Sequence, residues 1–448
     1  MLRSKTLNMS TGNPLGLLIR FSIPMLIGNI FQQAYNLADS IIVGRLIGAS
    51  ALAAVGSTGS VTFLFFSVCA GIGGGAGIVT SQYFGADQTE KVKKSITNSA
   101  YIMLITSLIM CTAAYLAAPV ILRFMRTPED ILPSAIIYMR MNCLGVPLVA
   151  IYNYSSSMLR ALGDSRTPLI FLIVACFLNV LMDLFCVGVL HMGVFGAALA
   201  TVLAQMISGI SCLIFAFRTN PYFKLERSHF AFDKEISASA VRLGLPLALQ
   251  WSLIAVSTTA LQSFVNSFGT TAVAAFTATT RLEQLIQMPY GSLGQALSTY
   301  SGQNYGAGRI ERIRAGFRDS LAAVAVFSLA MLVVMQIFGR SFIGAFVKDA
   351  DVIALGGSAL KLTSFFYFFL GVIYITRGIL NGVGDVLFSF INGIIEMVGR
   401  IGLPFIMTAI PGVGVWGIWW TAGLTWTLSA LFCVMRYMTW WKKQKRGA

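Results

Sequence analysis

The sequence predicts an all-α polytopic membrane protein of twelve transmembrane helices, arranged as two parallel repeats of six helices. The chain of 448 residues is 56% hydrophobic and 11% charged, with a mean hydropathy of +0.76. Soluble domains carry about 25% charged residues, so this composition indicates a membrane protein. Apolar runs long enough to cross a bilayer recur along the chain, and an offset of 221 residues relates its two halves.

The apolar runs are separated by short polar breaks. They predict spans at about 15–43, 51–80, 95–122, 132–158, 168–190, 193–216, 241–266, 270–300, 316–340, 353–378, 386–410 and 412–438. Because their number is even, both termini are expected on the same side of the membrane.

The distribution of basic residues predicts which side that is. The N-terminus, alternate loops and the C-terminal tail hold 23 of the 32 Lys and Arg residues, a set that includes Arg377, and the opposite loops hold five. By the positive-inside rule, we expect both termini in the cytoplasm and the protein in the inner (plasma) membrane. The net charge of +15 is thereby explained by topology, and we expect no nucleic-acid partner.

Residues that bind metals or catalyse reactions are scarce. All seven cysteines lie in apolar runs without CxxC spacing, and the two histidines, His191 and His229, lie at or outside the ends of spans. We therefore expect no metal site, no disulfide framework and no cofactor. A membrane-embedded enzyme stays an alternative, but it requires a nucleophile–base pair or a metal cluster within the spans.

The internal repeat predicts the domain organisation. GASALAA at 48–54 aligns with GTTAVAA at 269–275, and Gly163-Asp164 aligns with Gly384-Asp385. With six spans each, the two halves share one orientation, and like lobes that enclose a central cleft are typical of alternating access. The expected divisions are an N-terminal lobe at 1–217, a cytoplasmic linker at 218–240, a C-terminal lobe at 241–438 and a basic cytoplasmic tail at 439–448.

The first span carries a polar stripe on one helical face. Asn29, Gln32, Asn36 and Asp39 are spaced 3, 4 and 3 residues apart, and Tyr35 lies one turn before Asp39. An acid within a bilayer costs about 2.5–3.5 kcal/mol on insertion scales. We therefore expect Asp39 to face protein or a water-filled cavity.

The acids of the first half have no counterparts in the second. Two carboxylates that lie close together within a membrane cannot both ionise cheaply, so such a pair can take up and release a proton. With amide, hydroxyl and phenol oxygens nearby, the same cluster could hold Na⁺. The alternative is that these acids only form hydrogen bonds with other helices. The offset pairs Asp39 with Ala260, Asn179 with Arg400, Asp183 with Pro404, and Thr201 with Ala422.

The second half offers a weaker candidate site. Glu283 lies near the middle of the eighth span, beside Arg281, Gln284 and Gln287, and these four residues could line a cavity for substrate. A locally neutralised acid is the equal alternative. Glu396 and Arg400, spaced i,i+4, most simply neutralise each other.

Several motifs together resemble one transporter family. They are Pro24 followed by Asp39, VGRLIGASALAAVG at 43–56, QYFGA at 82–86 with its echo QNYGAG at 303–308, RALGDSRTP at 160–168, and N-x-x-x-D followed by G-x-x-G-A-A-x-A-T from Asn179 to Thr201. In their order, and along nearly its whole length, the chain resembles the multidrug and toxic compound extrusion (MATE) transporters.

The resemblance implies a V-shaped antiporter that exports amphipathic, often cationic compounds against H⁺ or Na⁺ entry. It also implies that Asp39, Asn179, Asp183 and Thr201 form the cation site of the N-terminal lobe, with Tyr35 and Asn153 nearby. NorM-like members carry acids in the seventh and tenth spans, whereas 244–268 and 354–382 contain none here. That departure makes the chain look DinF-like, with coupling in the N-terminal lobe.

We therefore expect a secondary multidrug efflux antiporter that handles small organic molecules within the lipid bilayer and functions as a monomer. A flippase for a lipid-linked precursor is the alternative with a related two-lobed architecture. Such a flippase is expected to place more cationic residues in its central cleft than this sequence offers. The intramembrane basic residues are Arg140, Arg281, Lys361 and Arg400.

Overall fold

The computed structural model describes residues 6–125 and 127–447. Over this range the chain is all-helical, without strands. The α-helices are α1 (Pro14–Leu46), α2 (Ala49–Gly85), α3 (Thr89–Phe124), α4 (Leu132–Ala161), α5 (Arg166–Asp183), α6 (Gly193–Thr219), α7 (Lys234–Val265), α8 (Thr270–Gly306), α9 (Ile310–Gly344), α10 (Ala350–Ser364), α11 (Tyr367–Gly382), α12 (Val386–Ala409) and α13 (Gly417–Gly447). Short helical turns lie at Leu184–Val189, which is π-helical, and at Pro221–Phe223, Arg227–Phe230, Asn266–Phe268 and Gly414–Trp416.

The helices confirm the predicted fold class. Within the described residues, ten helices are long and apolar enough to cross a membrane, and α10 with α11 provides one further span. The helix α8 falls on the remaining predicted span and is 37 residues long, although it is not among the ten that meet both criteria. One prediction needs correction, because the span expected at 353–378 is broken between α10 and α11, whose axes differ by 53°.

The backbone repeats as the sequence does. Besides the correspondence of helices, the chain adopts positive φ angles at equivalent positions of both halves, all 221 residues apart. In the first half, Asp87 and His191 adopt this conformation, which their glycine counterparts reach without steric cost. The pairs are Gly48 with Gly269, Asp87 with Gly308, Gly163 with Gly384, His191 with Gly412, and Gly193 with Gly414.

The chain divides into two compact units. The first unit comprises the described residues up to Met9 together with Ile23–Leu249, and the second comprises Ser10–Ser22 and the chain from Gln250 onward. Both α1 and α7 are therefore shared between units. The predicted lobe boundaries stay a prediction.

Each unit has its own apolar core. In the first unit, buried residues of α2, α3, α4 and α6 pack together, among them Ile72, Ile96, Met158 and Cys212. In the second unit, Trp419 of α13 packs in a core with side chains of α7, α8 and α10. These cores include α6, which carries Thr201, and α8, which carries Glu283.

Polar contacts join the segment between α6 and α7 to α3. The buried ring of His229 lies 2.8 Å from a carboxylate oxygen of Glu90, measured from Nε2 to Oε2. The side-chain oxygen of Asn98 accepts a hydrogen bond from the backbone N–H of Asp233, 2.8 Å long. The linker predicted at 218–240 therefore belongs to the first unit.

Candidate functional site

Two acidic side chains from different helices meet in the first unit. Asp39 lies near the C-terminal end of α1, and Asp183 is the last residue of α5, where the chain enters the π-helical turn. Both residues are buried. Their carboxyl groups are close enough to interact electrostatically, so the fold brings together the two acids that the sequence singled out.

Asn179 and Thr201 complete the same cluster. Asn179 lies one helical turn before Asp183, so the two side chains share one face of α5. Its Nδ2 donates a hydrogen bond to Oγ1 of Thr201 on α6 over 3.2 Å. We call Asp39, Asn179, Asp183 and Thr201 the carboxyl cluster.

The carboxyl cluster has more acceptors than donors. Within the described residues, four of its buried oxygen atoms accept no hydrogen bond from an N–H or O–H donor: Oδ1 of Asp39, Oδ1 of Asn179, and both carboxylate oxygens of Asp183. The two carboxyl groups lie within hydrogen-bonding range of each other, so a proton on one of them can bridge the pair. Burying an acceptor without a partner costs free energy, and burying an unpaired charge costs more. Oxygen atoms arranged in this way suit a proton or a hard monovalent cation.

The described residues also provide no counter-charge. None of their ion pairs involves Asp39 or Asp183. Two neighbouring buried carboxylates without a basic partner cannot both stay ionised at low cost. The cluster therefore has the chemistry of a site that exchanges a proton or a cation.

The three residues expected to support the cluster are placed differently. The hydroxyl group of Tyr35 lies within hydrogen-bonding range of the Thr201 side chain, and it interacts electrostatically with Asp39 and Asp183. Asn36 is exposed, and its backbone carbonyl accepts a hydrogen bond from Ser40. Asn153 is half-buried on α4. Contacts thus join Tyr35 to the cluster, whereas they do not join Asn36 or Asn153 to it within the described chain.

Sequence reasoning missed Tyr138. This tyrosine on α4 interacts electrostatically with Asp39, Asp183 and Tyr35, and its backbone carbonyl accepts a hydrogen bond from Nδ2 of Asn142 over 3.0 Å. The signal available in the sequence was the pair Tyr138 and Asn142, two polar residues spaced i,i+4 on the fourth span. Tyrosine is abundant in the apolar spans, however, and nothing in the sequence sets this one apart.

The four residues predicted around Glu283 do not form one cluster. Glu283 is buried, and within the described structure its Oε1 has no hydrogen-bond partner. Arg281 and Gln284 are exposed. Gln287 is half-buried and accepts a hydrogen bond from the hydroxyl group of Tyr374 over 3.2 Å. Helical geometry explains why Arg281 and Gln284 do not share a face with Glu283, since they lie two positions away or fewer. Gln287 is one turn after Glu283, and its side chain bonds to Tyr374 instead.

The interior of the second unit contains an ion-pair network around Glu396. Its nearest cationic partner is Arg377 of α11, while Nη2 of Arg400 lies 3.5 Å from Oε2 of Glu396. The pairing of Glu396 with Arg400 is thus confirmed but incomplete. Arg377, which is expected on the cytoplasmic side, belongs to this network. Its side chain is buried, and its Nε also donates to Oδ1 of Asn392 over 2.7 Å.

Among the described residues, no group of three or more His, Cys, Asp or Glu side chains could hold a metal ion. The seven cysteines are free thiols, six of them buried.

Comparison with known proteins establishes the family. The model of the MatE family matches residues 24–185 and 246–406, one match in each repeat. The chain belongs to the MatE family. MatE proteins are membrane transporters, so the chain is a multi-pass transporter, and the enzyme alternative is wrong.

Relatives and solved structures agree with this assignment. The "Probable multidrug resistance protein YpnP" of Bacillus subtilis (strain 168) is 31% identical over 441 residues, covering 97% of this chain and 98% of that protein. A multidrug resistance MATE family transporter of the MOP superfamily, solved in an outward-facing conformation, matches with a TM-score of 0.91 and 25% identity over 100% of both chains. A MATE crystal structure in the bent conformation gives a TM-score of 0.90 and 25% identity, covering 98% of this chain and 100% of that one.

Proposed function

We propose that this MatE protein is a cation-coupled secondary efflux antiporter, which exports amphipathic cationic organic compounds in exchange for H⁺ or Na⁺ by alternating access. The observation that carries the proposal is the carboxyl cluster, with four buried oxygen atoms that accept no hydrogen bond from an N–H or O–H donor among the described residues. The multidrug resistance name of the relative YpnP supports the substrate class.

Coupling follows from the cost of leaving the carboxyl cluster unneutralised. With both acids ionised, Asp39 on α1 and Asp183 on α5 repel each other. A proton or Na⁺ bound between them removes that repulsion and draws the two helices together. The ion thus favours one arrangement of the N-terminal lobe and its release favours another, which is what an ion-driven transporter needs.

The available driving force is sufficient. One charge that crosses 100 mV contributes about 2.3 kcal/mol, and a tenfold ion gradient adds about 1.4 kcal/mol. At one-to-one exchange, both contributions together support a gradient of several hundredfold for an uncharged substrate. A monovalent cation exchanged one-to-one moves no net charge, so the ion gradient alone drives it, to about tenfold.

Glu283 is the proposed contact for the positive charge of the substrate. It is a buried acid of the second unit with an unpartnered oxygen, and Tyr367 lies within electrostatic range of it. A carboxylate beside aromatic rings suits an amphipathic organic cation. We further propose that the protein acts as a monomer in the inner membrane with both termini in the cytoplasm, in accord with its basic residues.

Transport in proteoliposomes tests the function. Purified protein is reconstituted with a fluorescent cationic dye, and a proton gradient and a sodium gradient are imposed separately. We expect dye to move in the direction opposite to the ion flow when a proton gradient or a sodium gradient is imposed. We expect no dye movement when both gradients are absent. Movement that is indifferent to both gradients, together with binding of lipid-linked precursors, would instead favour the flippase alternative.

A further inference from the structure

The two repeats place different chemistry at one equivalent position. The offset of 221 residues, which holds for the helices and for the positive-φ positions, pairs Asn179 of the carboxyl cluster with Arg400. Where the first repeat offers oxygen atoms to a cation, the second therefore carries a guanidinium group of its own.

Arg400 connects the first and fifth helices of its repeat. From α12, its Nη1 donates to Oγ1 of Thr258 over 3.2 Å and to Oγ of Ser257 over 3.4 Å, both on α7. Its Nη2 lies 3.5 Å from Oε2 of Glu396, one turn earlier on α12. The equivalent helices of the first repeat are α1 and α5, which carry Asp39 and Asp183.

Both carboxylate oxygens of Glu396 have partners. Oε1 of Glu396 accepts hydrogen bonds from Arg377 and, over 3.1 Å, from the hydroxyl group of Ser429. Oε2 faces Arg400. Asp183 makes the contrast, because neither of its carboxylate oxygens accepts a hydrogen bond from an N–H or O–H donor within the described residues.

The charges around Arg400 balance. Glu396 on α12 pairs with Arg400 and with Arg377 of α11. Glu283 on α8 and the titratable Tyr374 of α11 interact electrostatically with Arg400. Two guanidinium groups thus face two carboxyl groups. The carboxyl cluster instead holds two acids, and no ion pair with a described basic residue offsets them.

We propose that Arg400 is a built-in counter-cation, which does permanently for the C-terminal repeat what the coupling ion does for the N-terminal repeat only while bound. Together with Arg377 it balances the carboxyl groups of Glu396 and Glu283, and it holds the first helix of the repeat to the fifth. The arrangement of the C-terminal repeat then does not depend on the coupling ion, and only the N-terminal repeat responds to the ion gradient. The inference rests on the proposed coupling role of the carboxyl cluster.

Replacing Arg400 with the residue of the first repeat tests the inference. The variant Arg400→Asn is made in an Asp39→Asn background, so that the carboxyl cluster cannot supply the signal. Thermal unfolding of the purified protein is compared in sodium chloride and in choline chloride, at pH 6 and pH 8. We expect Asp39→Asn/Arg400→Asn to gain a stabilisation by Na⁺ or by low pH of at least about 3 °C, absent from Asp39→Asn alone.

Two further variants keep the test decisive if Arg400→Asn fails to fold. Arg400→Lys retains the charge and is expected to fold without new ion dependence. Glu396→Gln/Arg400→Asn removes one charge of each sign, and it too is expected to fold without ion dependence. Arg318→Asn, which changes an arginine with an 82% exposed side chain, is the matched control and leaves the unfolding temperature unchanged.

The inference is overturned if Asp39→Asn/Arg400→Asn folds without ion dependence, if Arg400→Lys acquires it, or if the charge-balanced double variant does not fold. These outcomes are separate from failure of the proposed function. That failure appears as ion-coupled transport by the Asp39→Asn protein and does not depend on Arg400.

Discussion

The side-chain amide of Asn179 donates to the hydroxyl oxygen of Thr201 over 3.2 Å, and this bond sets which end of the amide faces the acids. Nδ2 donates to Thr201 on α6, and the amide oxygen accepts no hydrogen bond from a described residue. It lies one helical turn from Asp183 on the same face of α5. Thr201 thus orients an oxygen atom of the site.

Loss of that orientation is expected to weaken ion binding. The variant Thr201→Val keeps the side-chain shape but removes the acceptor, so the amide loses one hydrogen bond, a contribution of about 0.5–1.5 kcal/mol. We expect the apparent affinity for the coupling ion, measured from dye efflux as a function of ion concentration, to fall about three- to tenfold. Thr58→Val is the control, since that hydroxyl group bonds to the carbonyl of Val55 within its own helix. Equal affinities in both variants would argue against the orienting role.

Tyr138 is expected to contribute to the same site. Its hydroxyl group lies within electrostatic range of Asp39 and Asp183, so Tyr138→Phe should lower the apparent ion affinity several-fold and leave the unfolding temperature nearly unchanged. Tyr154→Phe is the matched control, because its buried hydroxyl group donates to the carbonyl of Ile96 over 2.8 Å. That control should lower stability but not ion affinity. If Tyr138→Phe lowered stability but not ion affinity, and Tyr154→Phe lowered ion affinity, Tyr138 would not belong to the site.

Glu283 is expected to discriminate substrates by charge. If its carboxylate receives the positive charge of the substrate, Glu283→Gln raises the KM for a cationic dye about tenfold or more and changes the KM for an uncharged substrate less than twofold. Glu129→Gln, in an exposed loop, is the control. Efflux assays with the two substrates in parallel measure the effect, and an equal change for both would show that Glu283 acts on the fold rather than on the charge.

Gly163 is expected to contribute strongly to stability. Its φ angle is +85°, and an added Cβ atom would lie 2.1 Å from the carbonyl oxygen of Leu7. Gly163→Ala combines an unfavourable backbone conformation with a steric clash, so we expect a loss of stability above about 2 kcal/mol. Gly59→Ala has open space around the new atom and should be neutral or slightly stabilising. Thermal unfolding of the two purified variants compares them.

The fold was largely predictable because hydropathy and repetition are long-range signals. Twelve apolar runs sufficed to place the spans, and one offset predicted the paired turns at Gly163 and Gly384. The break between α10 and α11 was not predictable, since it contains neither proline nor glycine and the polar residues before it, Lys361, Thr363 and Ser364, do not interrupt the apolar run enough to mark a bend.

The polar residues were predictable only in part. Helical spacing placed Asn179 and Asp183 on one face, and the cost of a buried charge marked Asp39. The contacts of Arg377 were not predicted. Counted as a topological charge near the end of a span, Arg377 lies buried against Glu396, a partner 19 residues away on another helix. Sequence spacing carries no information on such contacts between helices.

The most direct test of the central claim is dye export by the reconstituted Asp39→Asn protein under an imposed ion gradient, with Asp183→Asn measured beside it and Asp130→Asn, an exposed loop variant, as control. The account predicts that both cluster variants fold and bind dye but export none against the gradient, while the control exports at the wild-type rate. Gradient-driven export by the Asp39→Asn protein at the wild-type rate would contradict the account.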